Sequence, residues 1–312
     1  MKMIVTGANG FVGSYLLQTL SAAGNEILAI VRSNKSNVEK IKKIRNVKIF
    51  VCDLDCIEQL PNIISERNID CCIHLAWEGA TGIKRGDYNI QLKNIYRTLN
   101  LCRVLKKMNI KRFVGIGTLA EKDVNNYIPT DGATPNLVSC YGTAKLSAQY
   151  MSKAICSDLG IEHVWCQLSN IYGIGDETNN FINFASKLML CGERPSFTSG
   201  EQMYDFVYVS DIAEGIYAAA KKGEKNTVYY IGSGNPQILK NFIIQIRDCI
   251  NQNIHLYLGE KKFNGVCLPD REFDCSKLIN DTGYLAKISF EEGIKMTIDW
   301  LKTKAEEKNG KN

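Results

Sequence analysis

Short apolar runs alternate with amphipathic stretches along most of the chain. Glycine and polar residues bound these runs, a pattern typical of strands buried in a parallel sheet. The predicted strands are Met3–Val5, Glu26–Val31, Val47–Cys52, Asp70–Leu75, Arg112–Ile116, Glu162–Leu168 and Val228–Ile231. Between the strands, helical periodicity is clearest over Tyr88–Met108, 141–159, 212–222 and Phe290–Leu301. This alternation predicts an α/β protein with a doubly wound parallel sheet.

The helix over Tyr88–Met108 has one polar residue among its apolar positions. The predicted core stripe is Leu92, Ile95, Leu99, Cys102 and Leu105. Asn94 lies among these residues, so its amide needs a partner. Two roles are open for Asn94. It positions water or backbone in an active site, or it forms a cap within the helix or a contact at the surface. Further along the chain, Asp211 is predicted to cap the helix over 212–222.

Three glycines separate the first strand from the first helix. Gly7, Gly10 and Gly13 follow Met3–Val5, and Val12, Leu16 and Leu20 then recur at helical spacing. Gly7 would allow a tight turn, Gly10 a close approach to a pyrophosphate, and Gly13 close packing of helix on strand. The helix N-terminus would face the phosphate charge. Strand, glycine turn and helix together predict dinucleotide binding.

The residues after the second strand bear on which dinucleotide binds. An acidic residue there would hold the adenosine ribose hydroxyls and favour NAD(H). The chain instead has Arg32 and Ser33, whose cation and hydroxyl would receive a 2′-phosphate. We therefore expect NADP(H) to be favoured and NAD(H) to be possible, the alternative being a solvated polar loop.

Two further strand ends carry candidate cofactor contacts. Asp53 follows the third strand and could accept a hydrogen bond from adenine, with Leu54 beside the ring; the alternative is a helix N-cap. After the fourth strand, small Ala76 would let a cofactor pass over the sheet edge. His74, at the end of that strand, is expected to be structural.

Tyr141 and Lys145 lie four residues apart at the start of a predicted helix, and therefore on one helical face. A phenol titrates near ~10, too high for an acid or base at neutral pH. A nearby ammonium stabilises the phenolate and lowers that pKa. Thr118, after the fifth strand, could bond the reacting oxygen. A tyrosine and a lysine at this spacing are common on helix surfaces, and the pair gains significance from its position after the glycine turn, Ala76 and Thr118.

Composition narrows the class of protein. The 312 residues carry a net charge of +5 that is spread along the chain, which argues against nucleic-acid binding. The twelve cysteines include no C-x-x-C pair, and several lie in apolar runs; reduced core residues in the cytoplasm are expected, and no metal site. No signal peptide is visible and no run reaches membrane-spanning length, so no membrane partner is expected.

The motifs together resemble a known family, the extended short-chain dehydrogenase/reductases of the NAD-dependent epimerase/dehydratase type. The segments that carry this resemblance are Thr6-Gly7-Ala8-Asn9-Gly10-Phe11-Val12-Gly13, His74-Leu75-Ala76, Gly117-Thr118, Tyr141-x-x-x-Lys145, Ser169-Asn170-Ile171-Tyr172-Gly173, Asp205-Phe206-Val207-Tyr208-Val209-Ser210-Asp211-Ile212 and Asp274-Cys275-Ser276-Lys277-Leu278. They cover nearly the whole chain and are specific for the family rather than for one reaction.

The resemblance implies a Rossmann domain and a smaller α+β C-terminal substrate domain. The first would comprise residues 1–168 and about 206–232, the second about 169–205 and 233–302, before a polar tail at 303–312. It also implies a nucleotide-sugar substrate, hydride exchange with a nicotinamide cofactor, and a homodimer formed through the helices at 88–108 and 141–159. By the family pattern, the catalytic set is Thr118, Tyr141 and Lys145. The expected cofactor contacts are Gly7, Asn9, Gly10, Phe11, Val12, Gly13, Arg32, Ser33, Asp53, Leu54, Leu75, Ala76, Trp77, Asn94, Tyr141, Lys145 and Leu168.

The substrate contacts are less specified. The expected set is Glu78, Thr118, Asn170, Asn180, Phe181, Phe197 and Arg271. Aromatic rings would stack on a base, and Arg194 or Arg271 would meet a diphosphate. Loop capping is the alternative for Asn170, and an exposed salt bridge the alternative for Arg271. The loops around 78–90, 171–205 and 260–275 would determine the sugar.

Departures from the family pattern limit the reaction. The 4,6-dehydratases have an Asp-Glu pair directly after the catalytic threonine, where this chain has Leu119 and Ala120, with Glu121 one residue late. Without that acid and base, dehydration is not expected. Tyr204 stands where many relatives have an arginine that grips the diphosphate, so the family pattern specifies substrate anchoring less well than cofactor binding. Three interpretations remain: an NADPH-dependent reductase of a 4-keto-6-deoxy nucleotide sugar, a 4-epimerase with tightly bound NAD, and a non-catalytic cofactor-sensing protein.

Overall fold

The computed structural model describes residues 1–127 and 135–309. Its strands are β1 (Lys2–Thr6), β2 (Glu26–Val31), β3 (Val47–Val51), β4 (Cys71–His74), β5 (Arg112–Thr118), β6 (Glu162–Leu168), β7 (Asn170–Tyr172), β8 (Met203–Tyr204), β9 (Phe206–Tyr208), β10 (Thr227–Ile231) and β11 (Gln237–Ile238). The α-helices are α1 (Phe11–Ala22), α2 (Leu60–Ile63), α3 (Tyr88–Lys107), α4 (Ala120–Tyr127), α5 (Ser139–Leu159), α6 (Phe181–Leu190), α7 (Val209–Lys222), α8 (Leu239–Ile250), α9 (Ser276–Thr282) and α10 (Phe290–Asn309). Short 3-10 turns cover Leu54–Gln59, Gly82–Gly86 and Asp270–Phe273.

The predicted doubly wound sheet is confirmed. Its strands run parallel in the order β3-β2-β1-β4-β5-β6-β10, so the strand order reverses direction between β1 and β4. In such sheets ligands bind beyond the carboxyl ends of the strands at this switch point. The strand pairs β7–β9 and β8–β11 form two small additional sheets.

Three large apolar clusters hold these layers together. One packs α1 and α7 on one face of the sheet, and the second packs α3 and α5 on the other. The third joins α6, α8 and α10 around the aromatic residues of β7 and β9. Burial of such continuous apolar surface is the main force that fixes the layers. No helix in the described ranges is long and apolar enough to cross a membrane.

The core stripe predicted for α3 is only partly correct. Cys102 and Leu105 are buried, but Leu92 is 60% exposed. The first half of the helix buries a polar face instead, formed by Gln91, Asn94, Arg97 and Thr98. Gln91 and Asn94 bond the loop that follows β4, and Thr98 bonds His74 at the end of that strand, so hydrogen bonding rather than apolar contact decides which face turns inward.

The predicted capping role of Asp211 is wrong. The helix begins earlier, at Val209, and places Asp211 inside its first turn. The carboxylate accepts hydrogen bonds from the backbone N–H groups of Lys287 (3.1 Å) and Ile288 (2.8 Å). Asp211 therefore attaches the segment before α10 to α7.

Candidate active site

Two cavities open at the carboxyl ends of β1, β4 and β5. The large cavity, of about 740 Å³, extends from the glycine turn past Thr118 and Tyr141 to Tyr204. The small cavity, of about 230 Å³, lies beside the ends of β2 and β3. Gly7, Gly10, Leu75 and Trp77 line both. The two spaces therefore meet at the turn between β1 and α1.

The glycine turn has no space for side chains. Gly7 has φ of +69°, and a Cβ there would lie 2.7 Å from the Ala76 nitrogen. A Cβ on Gly13 would overlap the Gly7 carbonyl. Gly10 is the N-cap of α1, and among the described residues no side chain caps that helix. The first-turn N–H groups therefore lie free beside both cavities, an arrangement that fits a dinucleotide pyrophosphate.

A network of charged side chains borders the small cavity. The Glu78 carboxylate lies 3.8 Å from Arg32 Nη2 and 3.3 Å from Arg97 Nη1. Arg97 also forms a two-point pair with Asp55, with N···O distances of 2.7 and 2.9 Å. Hydrogen bonds from Arg97 and Lys93 hold the pKa of Asp55 well below its usual value. Guanidinium and carboxylate groups are therefore both present where the adenosine half of a cofactor would lie.

Most of the predicted adenosine contacts line this cavity, with two differences. Asp53 and Leu54 line it, while Asp53 also caps the next turn by accepting from the Asp55 N–H at 2.9 Å. Glu78, expected at the substrate, lies here instead, because the loop after β4 turns towards Arg97. Ser33 lines neither cavity, since its hydroxyl accepts from the Lys35 N–H in a surface turn.

Polar side chains fix the backbone around this cavity. Asn94 accepts from the Glu78 N–H at 3.2 Å and donates to its carbonyl at 2.7 Å. Of the two roles considered for this residue, positioning backbone is therefore the one the geometry provides. Asn9, at the cavity edge, donates to the Asn37 carbonyl at 3.2 Å. Ala76 also lines the small cavity.

Thr118, Tyr141 and Lys145 come together on one wall of the large cavity. Burial raises the pKa of Tyr141, while the charge of Arg85 and a hydrogen bond with Thr118 act in the opposite direction. Lys145 donates to the Ile116 carbonyl at 2.6 Å, and its ammonium lies 3.9 Å from the centre of the Trp77 ring. Burial lowers the pKa of this lysine.

Glu121 supports this wall from behind rather than facing the cavity. The fully buried carboxylate accepts from the Thr118 N–H and from the Gln167 amide, both at 2.8 Å, and from Trp165 Nε1 at 3.1 Å. Burial raises its pKa, against the effect of these hydrogen bonds. Leu119 and Ala120 do line the cavity, so the positions of the dehydratase acid and base are apolar.

Two charged residues in the large cavity were missed by the sequence analysis. Arg85, from the turn Gly82–Gly86, has its guanidinium carbon 4.6 Å from the centre of the Tyr141 ring. Asp123, on α4, lines the same cavity, and burial raises its pKa to about 6. The only signal for Arg85 was its place in the loop expected to determine the sugar. Asp123 gave no signal, since no helix was predicted there.

The predicted substrate residues divide into two groups, of which the first lines the large cavity. Asn170 donates to the Asp205 carbonyl at 3.1 Å. Asn180 caps α6 by accepting from the Asn183 N–H at 2.8 Å, and Phe181 follows it at the cavity wall. The predicted cofactor residues Phe11, Val12 and Leu168 line this cavity as well.

The second group lies elsewhere and corrects the prediction. Phe197 is 4% exposed in the cluster around α6 and lines neither cavity, because it packs against Phe181. The Arg271 side chain is 79% exposed and lies 4.0 Å from Glu272, so the salt-bridge alternative describes it. Arg194 also lies outside both cavities, paired with Glu260. Tyr204 does line the large cavity.

Comparison with known proteins agrees with this geometry. A sequence model of the NAD dependent epimerase/dehydratase family matches residues 3–232. The chain belongs to this family. The protein is therefore an enzyme of the NAD-dependent epimerase/dehydratase type, as the motifs predicted.

Individual members of the family differ in their reactions. A UDP-glucuronate 4-epimerase of Thermodesulfobacterium geofontis is 26% identical over 97% of both chains. A dTDP-6-deoxy-L-talose 4-dehydrogenase (NAD(+)) of Aggregatibacter actinomycetemcomitans is 27% identical, over 78% of this chain and 88% of the relative. Among solved structures, the UDP-glucose 4-epimerase of Thermotoga maritima with UDP-glucose has a TM-score of 0.79 and 22% identity, covering 98% of this chain and 100% of that one.

The carboxyl group of Asp123 makes the stability of this epimerase/dehydratase family member depend on pH. Its pKa is about 6 when folded, above the ordinary 3.8, so the folded state binds more protons between these values. The contribution of this carboxyl to the free energy of unfolding should therefore fall as pH rises from about 4 to about 6, by roughly 1–3 kcal/mol. The difference in unfolding free energy between the wild-type protein and Asp123→Asn, measured by urea denaturation, should fall by that amount across that pH range.

The control is Asp158→Asn, the same substitution at an exposed helical position. It should leave the pH dependence as in the wild-type protein. An Asp123→Asn protein with the same pH dependence of stability as the wild-type protein would contradict the assignment.

Proposed function

We propose that this protein reduces a 4-keto-6-deoxy nucleotide sugar by hydride transfer from NADPH. The observation that carries this proposal is the position of Thr118, Tyr141 and Lys145 on the wall of a cavity that begins at the glycine turn. A proton donor therefore stands in the same space as the phosphate-binding helix terminus, which is what carbonyl reduction by a nicotinamide requires.

The two cavities suit the two halves of the cofactor. The adenosine half would lie in the small cavity near Arg32 and Asp53, and the nicotinamide half in the large cavity near Tyr141, with the pyrophosphate between them at Gly10. When bound, the nicotinamide supplies or accepts the hydride. The glycine turn and the free N–H groups at the start of α1 would hold the pyrophosphate of the cofactor.

The side chains supply the proton and orient the carbonyl. Tyr141 would give its proton to the alkoxide oxygen that forms at C4, and the Thr118 hydroxyl would donate to the same oxygen before the proton moves. Lys145 fixes the end of β5 through the Ile116 carbonyl and adds positive charge to the wall. Apolar Leu119 and Ala120 provide no acid or base for water elimination.

The substrate assignment rests on cavity shape and on relatives. Asn170, Phe181 and Tyr204 line the part of the large cavity away from the glycine turn, where a nucleotide sugar would lie. We place these residues in a substrate-binding part formed by about 169–205 and 233–302. The similar Thermotoga structure contains UDP-glucose, and the Aggregatibacter relative is a 4-dehydrogenase of a dTDP-linked deoxy sugar.

A nucleotide-sugar 4-epimerase with tightly bound NAD is the second candidate. The Glu78 carboxylate in the small cavity favours it, because this carboxylate pairs with Arg32 and could accept from ribose hydroxyls. Two of the relatives described above are 4-epimerases. In that reaction Tyr141 would take the proton of the C4 hydroxyl while the hydride passes from C4 to NAD. Once the keto sugar has turned over and its other face has received the hydride, Tyr141 would return the proton to the C4 oxygen.

The cofactor distinguishes the two candidates. We expect the purified protein to release little nucleotide on denaturation and to bind NADPH at least about tenfold more tightly than NADH. Arg32→Gln should remove this preference, because its guanidinium would meet the 2′-phosphate. Mass analysis of released nucleotide and parallel titrations measure both quantities.

The matched control is Lys35→Gln, which removes an exposed cation from the same loop. It should leave the preference intact. Stoichiometric NAD that survives purification would contradict the reductase and make the 4-epimerase the leading function.

Removing the phenol tests catalysis itself. Tyr141→Phe should lower kcat roughly 10²- to 10⁴-fold while cofactor binding is retained, because only the proton donor is lost. The control is Tyr217→Phe, on α7, which lines neither cavity. Activity unchanged by Tyr141→Phe would contradict Tyr141 as the proton donor. A wild-type protein that binds cofactor but shows no turnover would instead favour a cofactor-sensing protein.

We also propose that α3 and α5 form a homodimer interface. Tyr88, Leu92 and Tyr96 are exposed on α3 at intervals of four, and Tyr150 and Met151 are exposed on α5, which packs beside it. Such a contiguous apolar face is typical of an interface. Leu92→Glu should therefore yield a monomer in size-exclusion chromatography with light scattering.

The control is Leu285→Glu, an equally exposed leucine elsewhere in the chain. It should leave the dimer intact. A wild-type monomer at micromolar concentration would contradict this interface.

A further inference from the structure

Arg85 occupies an unusual position in the large cavity. Its guanidinium carbon lies 4.6 Å from the centre of the Tyr141 ring, and its Nε is buried without a hydrogen-bond partner. Across the described ranges, none of the ion pairs within 4.0 Å includes it. Arg85 is half-buried, and a buried N–H without a partner is uncommon. Among the described residues, the Tyr141 ring is the aromatic face that this guanidinium contacts, and its charge also acts on Asp123 and Tyr204.

The lysine of the catalytic set is engaged elsewhere. Lys145 donates to the Ile116 carbonyl and contacts the Trp77 ring. Its charge is also opposed by buried Glu121. The cation that lies over the phenol ring itself is therefore Arg85.

We propose that Arg85 is a positioning residue that acts through Tyr141, and that its guanidinium charge stabilises the phenolate form of Tyr141 during turnover. The inference deepens the proposed function and rests on Tyr141 as the acid and base of that reaction. A cation over an aromatic face attracts the electron-rich ring, and more strongly once the ring carries negative charge.

The groups around Tyr141 support this assignment from several elements. Arg85 faces it from the turn Gly82–Gly86, Thr118 from the end of β5, and Glu121 from α4. Burial raises the pKa of Tyr141 and Glu121 raises it further, whereas Arg85 is the charged group that lowers it. The positive charge of Arg85 also lowers the pKa of the Asp123 carboxyl, against the effect of burial.

The test compares proteins that differ only in this charge. Arg85→Gln removes it, Arg85→Lys keeps it, and Lys84→Gln removes a neighbouring exposed charge from the same turn. Tyr141 is titrated by phenolate ultraviolet absorbance from about pH 7 to about pH 11, with saturating oxidised cofactor. Subtracting the matching protein that also carries Tyr141→Phe isolates this residue from the other tyrosines.

We expect Arg85→Gln to raise the pKa of Tyr141 by about one unit, a tenfold loss of phenolate at a given pH. Lys84→Gln should leave the titration as in wild type, and Arg85→Lys should restore most of it. The acid limb of the kcat profile should move in the same direction, with KM changed less than about threefold.

Two outcomes would overturn the inference. One is a Tyr141 titration that is the same in wild type and Arg85→Gln. The other is a large rise in KM with an unmoved pH profile, which would make Arg85 an anchor for a substrate anion. Because the absorbance titration needs no turnover, a shifted titration in a protein inactive on nucleotide sugars would refute the proposed function and retain this inference.

Discussion

The close approach of the glycine turn to the end of β4 is the contact on which the site depends. Because Gly7 has no side chain, its backbone lies directly against Ala76, and the Thr6 hydroxyl accepts from the Ala76 N–H at 3.3 Å. The same hydroxyl lies 2.7 Å from His74 Nδ1, whose other nitrogen lies 3.1 Å from the Thr98 hydroxyl on α3. Burial lowers the pKa of His74 to about 3, so this histidine is neutral and structural, as expected. Turn, strand and helix are thus fixed before any ligand binds.

The same constraint explains the two unlike faces of α3. Its inward face must satisfy the backbone of the loop after β4, which Gln91 and Asn94 do through four hydrogen bonds. Apolar residues such as Leu92 are therefore displaced to the outward face, although periodicity alone assigned Leu92 to the core. Periodicity locates an amphipathic helix but cannot distinguish a buried polar network from a solvated face.

The sequence predicted the sheet well because each strand is a continuous apolar run with a local signature. It also predicted that Thr118, Tyr141 and Lys145 lie together, because the end of a strand and the spacing of residues along a helix can both be recognised from short stretches of sequence. Arg85, Glu121 and Asp123 could not be predicted in the same way. Their roles come from contacts between a short turn, α4 and β6, and no local pattern encodes such contacts. The prediction that Phe197 contacts the substrate was wrong for a different reason. An aromatic residue in an irregular stretch can pack in a core as readily as it can stack on a nucleotide base.

Two buried ionisable side chains, Lys145 and Glu121, fix the backbone at the end of β5, beside the large cavity. Lys145 donates to the carbonyl of Ile116, and Glu121 accepts from the N–H of Thr118, two residues further along the same strand. Each group alone would be costly to bury, and each is satisfied by backbone of β5 as well as by the other's charge. The strand end is therefore held rigidly while the Thr118 hydroxyl stays directed at the cavity. Lys145 is thus engaged with the strand, and the cation over the face of Tyr141 is Arg85.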